Sequence, residues 1–146
     1  MQIAVLTLDG FNELDSFIAA GILNRMKSQG WAAHITCPTP EVTSMAGVTI
    51  QRQKPLEFLA DADAVLIGSG IKTRDYAADP TFLSRLPLDP SRQLIGAQCS
   101  GTLLLAKLGL IGDLPACTDL TTKPWVIEAG VNVVDAPFVA HGNVAT

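Results

Sequence analysis

Arg92-Gln93-Leu94-Ile95-Gly96-Ala97-Gln98-Cys99-Ser100-Gly101-Thr102-Leu103-Leu104-Leu105-Ala106-Lys107-Leu108-Gly109 is the stretch that decides the fold. It opens as an apolar run, passes through small residues around a single cysteine, and continues as an almost unbroken apolar helix pattern that Gly109 closes. The spacing predicts strand, tight turn and helix. Ala97-Gln98-Cys99-Ser100-Gly101 has the small-x-nucleophile-x-Gly form of an elbow, in which small neighbours let the reactive side chain stand out on a sharp turn. Ala97 occupies a position where glycine is more usual. At the carboxyl end of a strand and the start of a helix, unpaired N–H groups and the positive end of the helix dipole favour thiolate over thiol, so the expectation is a lowered Cys99 pKa. The competing reading is a small buried hydrophobe.

Outward from the elbow, Ile3 to Leu8 and Ala64 to Ile67 are continuous apolar runs that read as central parallel strands, with Ala32 to Cys37 a further strand. Leu14, Phe17, Ile18, Ile22 and Met26 recur at helical spacing between Phe11 and Gln29, and Gly30 supplies the stop. Val48 to Gln51 alternates and suits an edge or hairpin. Leu56 to Ala60 reads as one helical turn, Asp79-Pro80 opens a short helix through Leu86, Thr122 to Ala129 reads as a helix, and Val131 to Val134 as a strand. His141-Gly142-Asn143 reads as a turn. Buried strands followed by long connections describe an α/β protein: an open, doubly wound, mostly parallel sheet with helices on both faces. Ligands bind such sheets outside the carboxyl ends of the strands, where Asp9 to Asp15, Gly68 to Ile71 and Cys99 collect.

The 146 residues suffice for one domain, and 48% hydrophobic against 16% charged content argues for a covered sheet and against disorder. A net charge of −4 with no run among the ten Lys and Arg residues speaks against nucleic-acid binding. The first strand lacks the positive flank of a signal sequence, and no apolar run has the length of a membrane span. Three cysteines, Cys37, Cys99 and Cys117, match no zinc or redox spacing, which implies free thiols and a cytoplasmic location.

Asp15 is the leading partner for Cys99, because a carboxyl in the first turn of the first helix points along the same edge of the sheet. Against this, Asn12-x-x-Asp15 resembles a capping box that needs no function, and Glu13 shares that reading with a weaker claim. Gly68-Ser69-Gly70 would let backbone N–H groups approach an oxyanion, with Ser100 N–H as a second donor; the plainer reading is a turn. His34 falls within a strand and His141 in a late turn, so neither is placed as the imidazole of a cysteine-protease pair. No metal is expected, and without G-x-G-x-x-G no dinucleotide cofactor.

With these residues in place, the chain resembles the ThiJ/PfpI family of the class I glutamine amidotransferase-like superfamily, and within it the isocyanide hydratase and AraC-type regulator branch. The resemblance rests on Leu14-Asp15, Leu66-Ile67-Gly68-Ser69-Gly70, Gly96 to Gly101 with Leu105-Ala106 and Gly109-Leu110-Ile111, and the closing Gly142-Asn143-Val144-Ala145-Thr146. It implies a flavodoxin-like three-layer sandwich, Cys99 as nucleophile, Asp15 hydrogen-bonded to it, an oxyanion pocket from the Gly70 and Ser100 N–H groups, no cofactor, and a homodimer. Relatives often carry histidine where Ala116-Cys117-Thr118-Asp119 places Asp119, which leaves Asp119 and Glu13 as supporting carboxylates. Relatives also run past the closing segment into a final helix, so residues 1–146 are expected to form one domain truncated at its C-terminal end, with one sheet face incompletely covered.

The function implied is a cysteine-dependent enzyme, hydratase or hydrolase-like, acting on a small electrophilic molecule, with Asp15 as proton shuttle and isocyanide hydration as the branch's reaction. The alternative is a non-catalytic ligand-binding or thiol-based redox-sensing domain. Neither membrane nor nucleic acid is an expected partner of this segment.

Overall fold

The computed structural model describes residues 1–146. Its strands are β1 Gln2–Leu6, β2 Ala32–Cys37, β3 Glu41–Thr43, β4 Thr49–Gln51, β5 Lys54–Pro55, β6 Ala64–Ile67, β7 Leu94–Ala97, β8 Ala140–His141 and β9 Val144–Ala145. Seven of them form one sheet in the order β5-β2-β1-β6-β7-β9-β8, parallel except for the terminal β8–β9 hairpin, while β3 and β4 pair separately as an antiparallel hairpin. The α-helices are short: α1 Ala19–Leu23, α2 Thr73–Ala77, α3 Pro80–Leu83, α4 Gly101–Lys107 and α5 Lys123–Glu128. The fold is the expected flavodoxin-like α/β sheet with helices.

Strand alternation divides the core in two. Ala4, Leu6, Val65, Ile67, Ile95 and Ala97 face one side, where Ala77, Phe82, Leu103 to Leu105 and Val126 from α2 to α5 cover them. Each such leucine contributes about 1.5–3 kcal/mol by leaving water. Ile3, Val5, Ala33 and Ile35 face the other side against Phe11 and Val42, with Ala20 and Leu23 packed on them half-buried. That second face is open beyond β1, since Leu66 is only half-buried and Leu94 is 49% exposed.

Two sequence expectations are corrected. The helix expected over Phe11 to Gln29 is a π turn, Leu14–Ile18, then α1, then a 3₁₀ turn, Asn24–Gln29. Its apolar row does not face the core: Leu14, Ile18 and Ile22 are 52–65% exposed, and Asp15 and Ser16 are buried instead. The Ser16 hydroxyl hydrogen-bonds Thr7 Oγ1 at 2.9 Å in the interior, and that polar contact fixes which side faces the sheet. Val131 to Val134 form no strand; only Val133 bridges Ala116. Thr73–Ala77 is a short helix in a stretch to which the sequence analysis assigns no element.

Candidate functional site

β1 leads on to β2 on one side and its other neighbour, β6, leads on to β7 on the other, so the connections leave the carboxyl ends of β1 and β6 in opposite directions and open a crevice between them. The segments after β1, β6 and β7 converge on it. Cys99 is the one non-glycine residue with positive φ, at 47°, a left-handed conformation that costs roughly 1–2 kcal/mol. Surrounding contacts hold it: Gln98 N–H donates to Ile67 O at 2.9 Å, Gly101 N–H to Gln98 O at 2.8 Å, and Thr118 Oγ1 to Cys99 O at 2.7 Å. Gly101 is required at this corner, because a Cβ there would stand 2.7 Å from Ile67 O. The side chain of Cys99 is exposed, as an elbow demands and as a buried hydrophobe would not be.

Asp15 is buried at 9% exposure and its Oδ2 accepts the Ser69 N–H at 3.1 Å. The capping-box alternative does not describe it: Asn12 N–H donates to Ser69 O, and Asn12 Oδ1 accepts from Leu14 N–H. The carboxylate thus ties the first helical segment to the loop after β6. No hydrogen bond joins it to Cys99, yet both line one cavity of about 540 Å³ together with Gln98, Cys117, Asp119 and Phe138.

Gly70 makes the loop possible. A Cβ on it would lie 2.5 Å from Gly10 O, since residue 70 bridges Phe11. Its N–H donates to Ser100 Oγ at 3.2 Å, Ser100 Oγ donates to Thr73 Oγ1 at 2.9 Å, and Thr73 Oγ1 donates to Gly70 O at 2.9 Å. This ring of bonds returns to the residue it starts from and locks the β6 loop to the elbow. Gly70 N–H is therefore engaged by a hydroxyl, whereas Ser100 N–H has no acceptor within the chain. Thr73 and Thr118 are site residues that the sequence reading missed, because a lone threonine in a five-residue helix or an irregular segment leaves no periodicity to read.

The expected lowering of the Cys99 pKa is corrected. Partial desolvation of the sulfur pushes the thiol up, the charges of Asp15, Asp119 and Cys117 add to that, and the Ser69 hydroxyl only partly offsets them. Burial of the sulfur is the largest of these influences, the two carboxylates at the elbow come next, and α4, whose amide end faces the sulfur, is only seven residues long. Asp119 Oδ1 accepts the Thr121 and Thr122 N–H groups at 2.9 and 3.0 Å, so it also orders the turn into α5. Glu13 lies elsewhere: it accepts from Ser44 Oγ and from Ala46 N–H, and it braces the β3–β4 loop without lining the Cys99 cavities. His34 packs on Phe58 and His141 belongs to β8; neither lines those cavities. A second cavity of about 400 Å³ on the other side of Cys99 is bounded by Ser69, Arg74, Ser100 and Trp125. No helix is long and apolar enough to cross a membrane.

The sequence model described as the DJ-1/PfpI family matches residues 1–146. Among solved structures, a ThiJ/PfpI family protein from Pseudomonas syringae is similar with TM-score 0.82 and 23% identity over 99% of this chain and 60% of that one. A two-domain protein from Anabaena variabilis containing dj-1/thij/pfpi-like and ferritin-like domains gives 0.81 and 18% over 99% and 42%. Schizosaccharomyces pombe DJ-1 gives 0.80 and 17% over 99% and 82%. The chain thus spans less than two thirds of the first two of these proteins, and at such identities the likeness is one of fold. No curated protein matches it in sequence.

Proposed function

The chain belongs to the DJ-1/PfpI family, and on that premise we propose that it is a cysteine-dependent enzyme that hydrates a small electrophile, with an isocyanide as the substrate class. One observation carries this reading: Cys99 stands in the left-handed elbow conformation at the wall of a cavity that the Asp15 carboxylate also lines. In the proposed reaction the Cys99 sulfur adds to the terminal isocyanide carbon while its proton passes by way of Asp15 to the same carbon, giving a thioimidate. Water then adds to that carbon, the C–S bond breaks, sulfur regains a proton, and the N-substituted formamide leaves. Ser100 N–H is the donor available to the developing charge.

The test is formamide production from a panel of alkyl and aryl isocyanides, followed by NMR. Turnover that falls at least about a thousandfold in Cys99→Ser and about a hundredfold in Asp15→Asn supports the proposal. A wild-type chain that is alkylated at Cys99 yet hydrates no member of the panel overturns it in favour of a binding or sensing domain. The expected homodimer stays a proposal too, supported by the exposed row Leu14, Phe17, Ile18 and Ile22; sedimentation velocity with Ile18→Lys and Ile22→Lys tests it.

A further inference from the structure

Cys117 has no part in that reaction, yet it lines the same cavity as Cys99. Two contacts fix its position. Thr118, its neighbour, donates through Oγ1 to Cys99 O at 2.7 Å, and Cys117 O accepts from Thr102 Oγ1 at 3.0 Å on α4. Through the Thr118 bond the two cysteine Cα atoms are at most roughly 11 Å apart, by standard bond lengths, and residues 117–119 are irregular backbone rather than helix or strand. Cys117 also lies near enough to Cys99 to add slightly to the raising of its thiol, behind burial and the two carboxylates. Cys117 itself is buried, and Thr146 Oγ1 accepts its N–H at 2.9 Å while donating to its sulfur at 3.6 Å. Cys37, by contrast, is fully buried away from both cavities with its thiol pushed up to about 11.

We propose that Cys117 is the resolving thiol of Cys99, so that a hydroperoxide converts the pair to an intramolecular disulfide. The Cys99 sulfur attacks one peroxide oxygen, the O–O bond breaks, and the leaving oxygen departs protonated as water or an alcohol. Sulfur is oxidised by two electrons to a sulfenic acid and the peroxide is reduced by two. The Cys117 sulfur then attacks Cys99 Sγ, the S–S bond forms, the S–O bond breaks, and hydroxide leaves as water with the Cys117 proton. The disulfide needs Cα atoms within about 7 Å, and residues 117–119 lie in no helix or strand that such an approach would have to break. This inference rests on the reading of Cys99 as an accessible nucleophile, and it adds a thiol pair that protects the nucleophile from irreversible oxidation.

The experiment treats the reduced full chain with equimolar hydrogen peroxide in the presence or absence of dimedone, then maps peptides by mass spectrometry without reduction. The expected result is a Cys99–Cys117 linked peptide pair, two hydrogens lighter than the separate peptides, and little dimedone adduct. In Cys117→Ser and Cys117→Ala, each checked for folding by circular dichroism, the Cys99 adduct rises at least about tenfold and excess peroxide gives the sulfinic acid. Equal adduct in wild type and both variants, a Cys99–Cys99 link between chains, or an unoxidised Cys99 each overturns the proposal. Isocyanide turnover by the same wild-type preparation separates the two ideas: turnover without the disulfide defeats only the resolving thiol, and the disulfide without turnover defeats only the hydratase.

Discussion

Gly70→Ala tests whether the site depends on close backbone approach. The added Cβ would lie 2.5 Å from Gly10 O, 2.9 Å from Phe11 Cα and 3.0 Å from Gly10 C. All three are backbone atoms, so no side chain can swing aside and the two loops must separate. Overpacking of this kind costs about 1–3 kcal/mol. Separation also strains the Ile71 N–H to Gly10 O and Asn12 N–H to Ser69 O bonds, both 2.9 Å, at about 0.5–1.5 kcal/mol each. Alanine returns about 0.4–1 kcal/mol through the unfolded chain. The balance is a net loss of about 1–5 kcal/mol, which lowers Tm by about 3–15 °C for a chain of this size. Because Gly70 shares its bonded ring with Ser100, the elbow shifts as well, and alkylation of Cys99 in a Cys37→Ser, Cys117→Ser background changes rate. Gly21→Ala is the matched control: nothing lies within 4 Å of its Cβ position in α1, and the same substitution there stabilises by about 0.5–1 kcal/mol. A Gly70→Ala chain that melts within about 1 °C of the parent refutes the steric argument.

Asp15→Asn and Asp119→Asn each remove a negative charge that raises the Cys99 thiol, so the rise of iodoacetamide reactivity with pH moves to lower pH in both; a shift to higher pH, or none, contradicts the electrostatics. Cys99→Gly is expected to be about 1 kcal/mol more stable than Cys99→Ala, because only glycine sits at φ 47° without strain, and equal urea midpoints would remove the strain from the account. Gln93→Leu strands the carbonyls of Leu59 and Ala62 and the Asp89 N–H, now bonded at 2.7, 2.8 and 2.9 Å, and is expected to cost about 2–4 kcal/mol in urea unfolding; a loss below about 1 kcal/mol shows that water replaces the amide.

What the sequence disclosed followed local rules. Ala64–Ile67 and Ala32–Cys37 were legible because each is bounded by turn residues and has the apolar content of a buried strand. The elbow was legible because strand, small residues and helix follow one another within a few positions. The register of the first helical segment was not, because it is set by Ser16 meeting Thr7 and Asp15 meeting Ser69, polar contacts that an apolar periodicity count reads backwards. β8 and β9 are two residues each, and their identity as strands exists only in the pairing of β9 with β7. The raised thiol of Cys99 follows from its burial and then from Asp15 and Asp119, which reach the elbow through the fold. The local strand-turn-helix pattern holds no sign of that burial or of those charges, so the helix dipole alone predicts a lowered thiol where the fold raises it.

The raised thiol limits which electrophiles suit this site. At neutral pH the proton remains on sulfur, and the nucleophile appears only as that proton moves. An alkylating agent that consumes no proton meets a sluggish thiol. On the proposed mechanism an electrophile that takes up a proton as it reacts does better, because there Asp15, which lines the same cavity, accepts from sulfur and delivers in one sequence. The terminal carbon of an isocyanide takes both sulfur and hydrogen, and the leaving oxygen of a hydroperoxide takes the proton as the O–O bond breaks. The proposed hydration and the proposed thiol pair thus draw on one feature, a protonated Cys99 beside a carboxylate. Asp15→Asn should accordingly slow both reactions while it speeds iodoacetamide alkylation at neutral pH. If all three rates fell together, Asp15 would be a brace for the Ser69 loop and not a carrier of the proton.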